Sequence, residues 1–257
     1  MKQSVFQKVY LSLILLLMYV PMLLVVVYSF NKSNITTVWS GFSLSWYGEL
    51  FADREMAEAL KNSLIIAFIT SAVSALLGTL CAVGIYKGRT ALDRGVKKLA
   101  SVPLMLPEII TGILFLLIFS ALGLRLGIFT IVVAHSSFCI PYVYMTVTGS
   151  LEQLDESTTD AARDLGAGKI RTFFEITVPQ LMPGIISGAL LSFAMSMDDV
   201  IISFFVTGPG TNTLPVKIYS QLKKGVTPEV NALCTLMLAV TVLIVVIAAI
   251  AGKKKRS

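Results

Sequence analysis

Four ionisable side chains stand inside apolar stretches of this 257-residue chain: Glu108, His135, Asp198 and Asp199. A carboxylate at the centre of a lipid-spanning helix costs about 2.5–3.5 kcal/mol. An adjacent Asp pair there requires water, a cationic partner or a broken helix. Successive helical residues point about 100° apart, so Asp198 and Asp199 share one direction only if the backbone distorts. One can face a solute pathway while the other caps or pairs within the bundle; equally, the pair can be structural, a helix break held by side-chain hydrogen bonds. Glu108 follows Pro103 and Pro107, which kink or unwind a helix, and irregular backbone at membrane depth is tolerated where it lines a cavity or is buried in protein. Its other reading is an interfacial carboxylate paired with Lys97 or Lys98. Carboxylates in a path compensate the desolvation of a cationic solute, and aromatic rings add cation–π attraction. The expected path residues are therefore Glu108, Asp198, Asp199, Tyr142 and Phe193, with Tyr144 and Tyr219 as further aromatic candidates. His135, flanked by Ser136 and Ser137, reads as a hydrogen-bonded core histidine ahead of a proton relay.

Catalytic and metal chemistry find little support. One histidine and scattered serines give no nucleophile–base constellation, and no His-Glu-x-x-His pair occurs. Cys81, Cys139 and Cys234 lie far apart in apolar runs with no ligand spacing, so they read as small packing residues. Gly168-Lys169 is followed by Ile170, and no phosphate-binding Gly-x4-Gly-Lys-Ser/Thr loop exists. No catalytic residue, metal site or chain-bound cofactor is expected.

The elements that must position these groups follow from composition. Hydrophobic residues make up 55% of the chain and charged residues 14%, against about 25% charged in soluble domains; mean hydropathy is +0.81. About twenty apolar residues cross a bilayer as a helix, and six candidate spans appear at about 10–30, 63–86, 99–122, 126–148, 184–206 and 231–251. The first is too long for a signal h-region and lacks a small-residue cleavage site before Asn31, so it is expected to be retained. Of 21 Lys and Arg residues, fourteen fall at the N-terminus, in 87–98, in 149–183 and in the tail, against seven on the opposite side. Basic residues concentrate on the cytoplasmic side. That predicts an all-α integral membrane protein, 1–257 as a single transmembrane domain, with both termini and the 150–183 loop in the cytoplasm. The net charge of +6 thus reads as topology rather than nucleic-acid binding. On the opposite side, 44–62 reads as a polar helix with Trp46 and Tyr47 at the interface, and 207–230 as turns around Gly208, Pro209 and Gly210 with a short helix.

The 150–183 loop carries its own pattern. Ser157, with Asp160 three residues on, has capping-box spacing; Ala161 and Ala162 offer a small-residue face; Gly166 suits a helix stop. A second amphipathic helix is expected over 168–178, held to the membrane domain by Phe173 and Phe174 and ending at Pro179. Pattern alone leaves two readings, a docking module for another protein and an amphipathic loop resting on lipid.

Asp160-Ala161-Ala162, Gly166 four residues beyond, and Ile176-Thr177-Val178-Pro179 after nine more resemble the EAA loop of ABC importer permeases, with Asp for Glu at 160 and Val for Leu at 178. "ALKNSLIIA" (59–67) looks like the start of the permease core, and residues 192–235 are similar to the second permease of spermidine/putrescine importers. The resemblance implies a type I importer fold with cytoplasmic coupling helices. Asp160, Ala161, Ala162, Arg163, Asp164 and Gly166 would then dock into a cytoplasmic ATPase dimer that holds ATP and Mg. It further implies a sister permease (a homodimer remaining possible), an extracytoplasmic binding protein, polyamine cargo, and residence in a bacterial cytoplasmic membrane. A permease for another small solute, or a stand-alone secondary transporter or channel, are the alternatives; an intramembrane enzyme is the remotest.

Overall fold

The computed structural model describes residues 5–34, 38–86, 105–223 and 227–254, with 95, 98, 102 and 225 singly; for Val5, Glu156, Thr159, Asp160, Arg163 and 243–254 only the backbone is described. Among these residues every element is helical, apart from an isolated bridge between Asn31 and Phe42. In chain order the helices are α1 (Val5–Tyr28), α2 (Ser45–Ala52), α3 (Arg54–Ile85), α4 (Glu108–Ala121), α5 (Ile128–Leu151), α6 (Glu156–Asp164), α7 (Lys169–Asp198), α8 (Ile201–Val206), α9 (Leu214–Leu222) and α10 (Pro228–Lys254).

By length and composition, α1, α3, α5 and α7 can cross a membrane, while α4 and α10 are apolar helices with shorter described apolar stretches. Fourteen residues of α4 span about 21 Å. The rest of the expected 99–122 span lies mostly outside the described residues, as do most of the basic 87–98 loop and the last three residues of the tail. The expected span at 184–206 is corrected: α7 ends at Asp198, and α8 begins after two non-helical residues.

Two compact units divide the chain, residues 1–57 with 218–257, and residues 58–217. In the first, α10 packs with α1 and α2. Trp46 is buried and donates its Nε1–H to the Asn31 carbonyl at 2.7 Å, while the Tyr47 hydroxyl meets Ser29 Oγ at 2.8 Å. These two aromatic residues, expected at a lipid interface, therefore tie α2 to the end of α1. The expected single helix over 44–62 divides at Asp53, whose Oδ1 accepts from the Glu55 and Met56 amides. This carboxylate starts α3 by satisfying two amides that no helical turn precedes.

In the second unit the most extensive pairing is α5 with α7, and glycine makes it possible. A Cβ on Gly184 would overlap Ser150 Oγ, and one on Gly188 would stand 3.0 Å from Val143 Cα. Gly78 of α3 meets Val143, and Gly112 of α4 meets Phe205 of α8, in the same way. Lipid tails are as apolar as leucine, so helices in a membrane associate through close backbone approach and interhelical hydrogen bonds; Ser71 Oγ of α3 donates to the Ala189 carbonyl of α7 at 2.6 Å. A core of Ile66, Phe119, Ile131, Ala134, Ile202 and Val206 fills the space between α3, α4, α5 and α8.

The 207–213 loop is pinned at several points. Asn62 Nδ2 reaches the Gly210 and Asn212 carbonyls, Ser63 Oγ accepts from the Leu214 amide, and Thr130 Oγ1 donates to the Val206 carbonyl. A Cβ on Gly208 would run into the Leu126 carbonyl.

Gly188→Ala is expected to lower the stability of the detergent-solubilised protein by about 1–3 kcal/mol through overpacking, read as a lower unfolding midpoint. Gly149 of α5 has open space around it, so Gly149→Ala should be neutral or stabilising by up to about 1 kcal/mol.

Candidate functional site

A cavity of about 260 Å³ opens in the second unit, lined by Glu108, Phe138, Met195, Asp198, Asp199, Val200 and Ile201. Four elements build it. Glu108 is the first residue of α4, set there because Pro107 fixes an extended turn at the N-cap (φ −58°, ψ 134°) and cannot continue a helix backwards. A carboxylate in the first turn also suits the positive end of the helix dipole. Phe138 comes from α5, Met195 and Asp198 from the end of α7, and the remaining three from the break and the start of α8.

The break separates the two aspartates. Asp198 is the last residue of α7 and is exposed to the cavity; Asp199 turns inward and is only 9% exposed. Its backbone, φ −68° and ψ 123°, leaves the helical region and removes the fixed angular offset of a continuous helix. Its carboxylate then caps α8: Oδ1 accepts from the Ile202 amide at 3.3 Å and Oδ2 from the Ser203 amide at 2.7 Å. His135, fully buried, stands behind it, with Nε2 3.1 Å from Asp199 Oδ2 and 3.0 Å from Ser203 Oγ, and Nδ1 2.8 Å from Ser196 Oγ. A carboxylate accepts only, so Nε2 carries the proton.

Of the expected path residues, the structure brings together Glu108, Asp198 and Asp199. The first two form no ion pair with another described residue, whereas Asp199 is committed to its cap and to His135. Tyr142 and Phe193 are half-buried on α5 and α7 and do not line the cavity. Tyr144 packs against the Val143–Leu181 cluster, and Tyr219 on α9 lies beneath Lys223 Nζ, 4.7 Å from its ring centroid. Lys97 lies outside the described residues. Phe138, Met195, Ser196 and Ser203 were not singled out from the sequence. The one available signal was the spacing Ser196-x-x-Asp199-x-x-x-Ser203, which reads as polar positions around a break only once the break is known.

The 150–183 segment differs from its expectation in two respects. The cap of α6 is Asp155 rather than Ser157. Asp155 Oδ1 accepts from the Ser157 amide at 3.0 Å, and that hydrogen bond holds its carboxyl below the usual carboxylate range. An ionised Asp serves an N-cap better than the serine two residues further in, because it adds charge at the positive end of the dipole. Gly166 does end α6, at φ +85°, with the Ala167 amide returning to the Ala162 carbonyl. The expected second helix does not stop at Pro179. It runs from Lys169 through a π-helical turn at Phe173–Thr177 into the long apolar part of α7. The wide turn falls directly before Pro179, which has no N–H to contribute to the ladder.

Phe173 is half-buried, but Phe174 is exposed. On α6, Ala161 is exposed and Ala162 half-buried; the side chains of Asp160 and Arg163 lie outside the described residues. Beyond them Leu165, Ile170 and Phe174 are exposed, at 90%, 77% and 64%.

Residues 74–252, well over half of the chain, match the family of binding-protein-dependent transport system inner membrane components. The chain is 45% identical over 228 residues to the putrescine transport system permease protein PotI of Escherichia coli, covering 86% of this chain and 81% of the relative. It is 37% identical over 238 residues to the spermidine/putrescine transport system permease protein PotC of the same species, covering 93% and 90%. Among solved structures the fold is similar to a chain of a bacterial ABC transporter involved in the import of the acidic polysaccharide alginate. That likeness has a TM-score of 0.73 at 14% identity, over 97% of this chain and 95% of the other. A chain of the MetNI methionine ABC transporter in an inward-facing form follows at 0.64 and 17% identity, over 80% and 95%. At such identities these two likenesses speak for the fold alone.

Asp199→Ala should destabilise the protein by about 1–3 kcal/mol or more, because it removes a cap and strands a buried histidine. Asp198→Asn should leave the unfolding midpoint unchanged. Asp155 predicts a pH effect. Its carboxyl is held low in the folded state, so its support of α6 is present above the unfolded pKa, about 3.9, and fades as pH falls through the lower folded value. Amide exchange in α6, corrected for its intrinsic pH dependence, should accelerate in that acid range and lose the dependence in Asp155→Asn.

Proposed function

The chain belongs to the family of binding-protein-dependent transport system inner membrane components, and from that premise we propose that it is the permease subunit of an ATP-driven polyamine importer. The observation that carries the cargo assignment is the cavity in which Glu108 and Asp198 stand without a cation among the described residues. Two carboxylates sharing one cavity repel each other, and a solute with separated ammonium groups relieves that repulsion while its own charges are desolvated. At an effective dielectric of about 20, one such contact at about 4 Å is worth about 4 kcal/mol. That is enough to select a polycation, yet exposure to the cavity keeps it weak enough for release. Putrescine and spermidine have this chemistry, and the printed names of the relatives agree with it.

On this reading the six apolar segments are spans of a bacterial cytoplasmic membrane, with both termini and 150–183 on the inner side. The chain pairs with a sister permease. It receives cargo from an extracytoplasmic binding protein at the 44–62 and 207–230 side. Asp160, Ala161, Ala162, Arg163, Asp164 and Gly166 seat α6 in a cytoplasmic ATPase dimer, where ATP and Mg are held; this chain supplies no nucleotide site of its own. The exposed Leu165, Ile170 and Phe174 beside α6 supply apolar area for that contact, or for lipid, around the small Ala161 surface. Because α7 is continuous from Lys169 to Asp198, a push on the 169–177 turn is delivered along a rigid rod to the cavity, about 40 Å away by helical rise.

The decisive experiment is uptake of labelled putrescine and spermidine into liposomes holding the chain with its sister permease and ATPase, loaded binding protein outside and ATP inside. Uptake should require ATP and every subunit, and the chain alone should carry none. Asp198→Asn and Glu108→Gln should each raise the half-saturating concentration by about tenfold or more, the loss of at least about 1.4 kcal/mol. Uptake by the lone chain, or uptake driven by a proton gradient without ATP, would overturn the proposal. Ala161→Trp should abolish co-purification of the ATPase while leaving the unfolding midpoint in place.

A further inference from the structure

The break after Asp198 leaves helix ends on both sides of it, and one side chain reaches both of its edges. His135 Nδ1 meets Ser196 Oγ, within the last turn of α7, at 2.8 Å; Nε2 meets Ser203 Oγ, in α8, at 3.0 Å, and Asp199 Oδ2, in the break itself, at 3.1 Å. The ring is fully buried and is held from its other side by Phe138, 5.4 Å between centroids. Phe138 also lines the cavity. Thus an imidazole with both nitrogens engaged joins the end of one helix, the start of the next and the capping carboxylate between them.

From this we infer that His135 is a positioning residue for the cavity: by fixing Asp199 as the cap of α8 it holds open the break whose Val200 and Ile201 wall the cavity beside Asp198. The inference rests on the reading of the cavity as the cargo site, but its geometry does not depend on which cargo passes. Asp199 can point to only one place. If its hold on His135 is lost, the Asp199 carboxylate is freed from the cap, and residues 199–201 lose the partner that keeps them out of continuous helix. Val200 and Ile201 then leave the cavity wall, the next helical turn fills the open break beside Asp198, and position 198 is reached less readily from the cavity. Histidine suits the role because its two nitrogens lie on opposite edges of a rigid ring. Leucine or phenylalanine would fill the volume without bridging. Glutamine offers one donor and one acceptor on a flexible stem and restores part of the bridge.

The test reads the accessibility of residue 198 without using cargo. In the full-length chain assembled with its partner subunits, with Cys81, Cys139 and Cys234 replaced by Ala, a cysteine probe is placed by Asp198→Cys or, separately, by Glu108→Cys. Its reaction with a water-soluble trimethylammonium methanethiosulfonate is then timed. His135→Leu is expected to slow the reaction at position 198 by about tenfold, the effect of about 1.4 kcal/mol lost from the cavity-facing arrangement. Reaction at position 108 should be unchanged, and His135→Gln should restore most of the rate at 198. Should His135→Leu fail to assemble, Ser196→Ala, which removes one edge of the bridge, is expected to slow position 198 by a smaller factor with position 108 again unaffected. An unchanged rate at 198 in both variants would overturn the inference, and so would equal slowing at 198 and 108, which would make His135 a packing residue. Uptake provides a second reading: Asp198→Asn and His135→Leu should each raise the half-saturating concentration, and the double variant should add little to the larger of the two. If the wild-type complex carries no polyamine, the cargo assignment falls, while the thiol rates still decide the role of His135.

Discussion

A helix in hydrocarbon cannot stop without finding partners for the amides and carbonyls at its ends, and this chain stops one between Asp198 and Ile201. Everything near the candidate site follows from how that interruption is satisfied. The Asp199 carboxylate replaces the missing helical acceptors for two amides of α8, and His135 with Ser196 and Ser203 satisfies the carboxylate in turn. Leaving any member of such a buried network without its partner costs about 1–3 kcal/mol, more for a charged group. The cavity is thus bounded on one side by a polar cluster that has little freedom to rearrange.

Elsewhere in the second unit the helices meet through close backbone approach. Gly78, Gly184 and Gly188 let α3 and α7 come against α5 at backbone distance, and Thr146 and Ser150 of α5 return their hydroxyls to carbonyls of their own helix at 2.9 and 3.3 Å. Small, self-satisfied polar residues opposite glycine let the helices pack at close range. The 207–213 loop is fastened to α3 and α5 by side chains rather than left as a free connection, so the end of α8 is held as firmly as its beginning.

The continuity of α7 joins the two functional regions of the chain. A π-turn placed before Pro179 lets one helix start beside α6 and end at the cavity. The sequence suggests two separate pieces there because proline is the strongest local stop signal. A proline early in a helix, after a turn wide enough to do without its N–H, is no stop at all.

The sequence by itself determined the helical, membrane-compatible class, since a chain that is 55% hydrophobic in runs of about twenty residues has few other ways to satisfy its backbone. It also marked the EAA-like segment, the end of α6 at Gly166 and the choice between facing and capping roles for the Asp pair. These are local properties of spacing, charge and backbone freedom. Which aspartate caps and which faces the cavity, the absence of Tyr142 and Phe193 from its lining, and the attachment of Trp46 and Tyr47 to the end of α1 were decided by tertiary structure. The reason is common to all of them: each depends on a partner distant in the chain or on a backbone turn of two residues, and hydrophobic periodicity records neither. His135 makes the point most sharply, because its position in the sequence carries no sign of Ser196, Asp199 and Ser203, more than sixty residues away, until the helices that bear them are packed together.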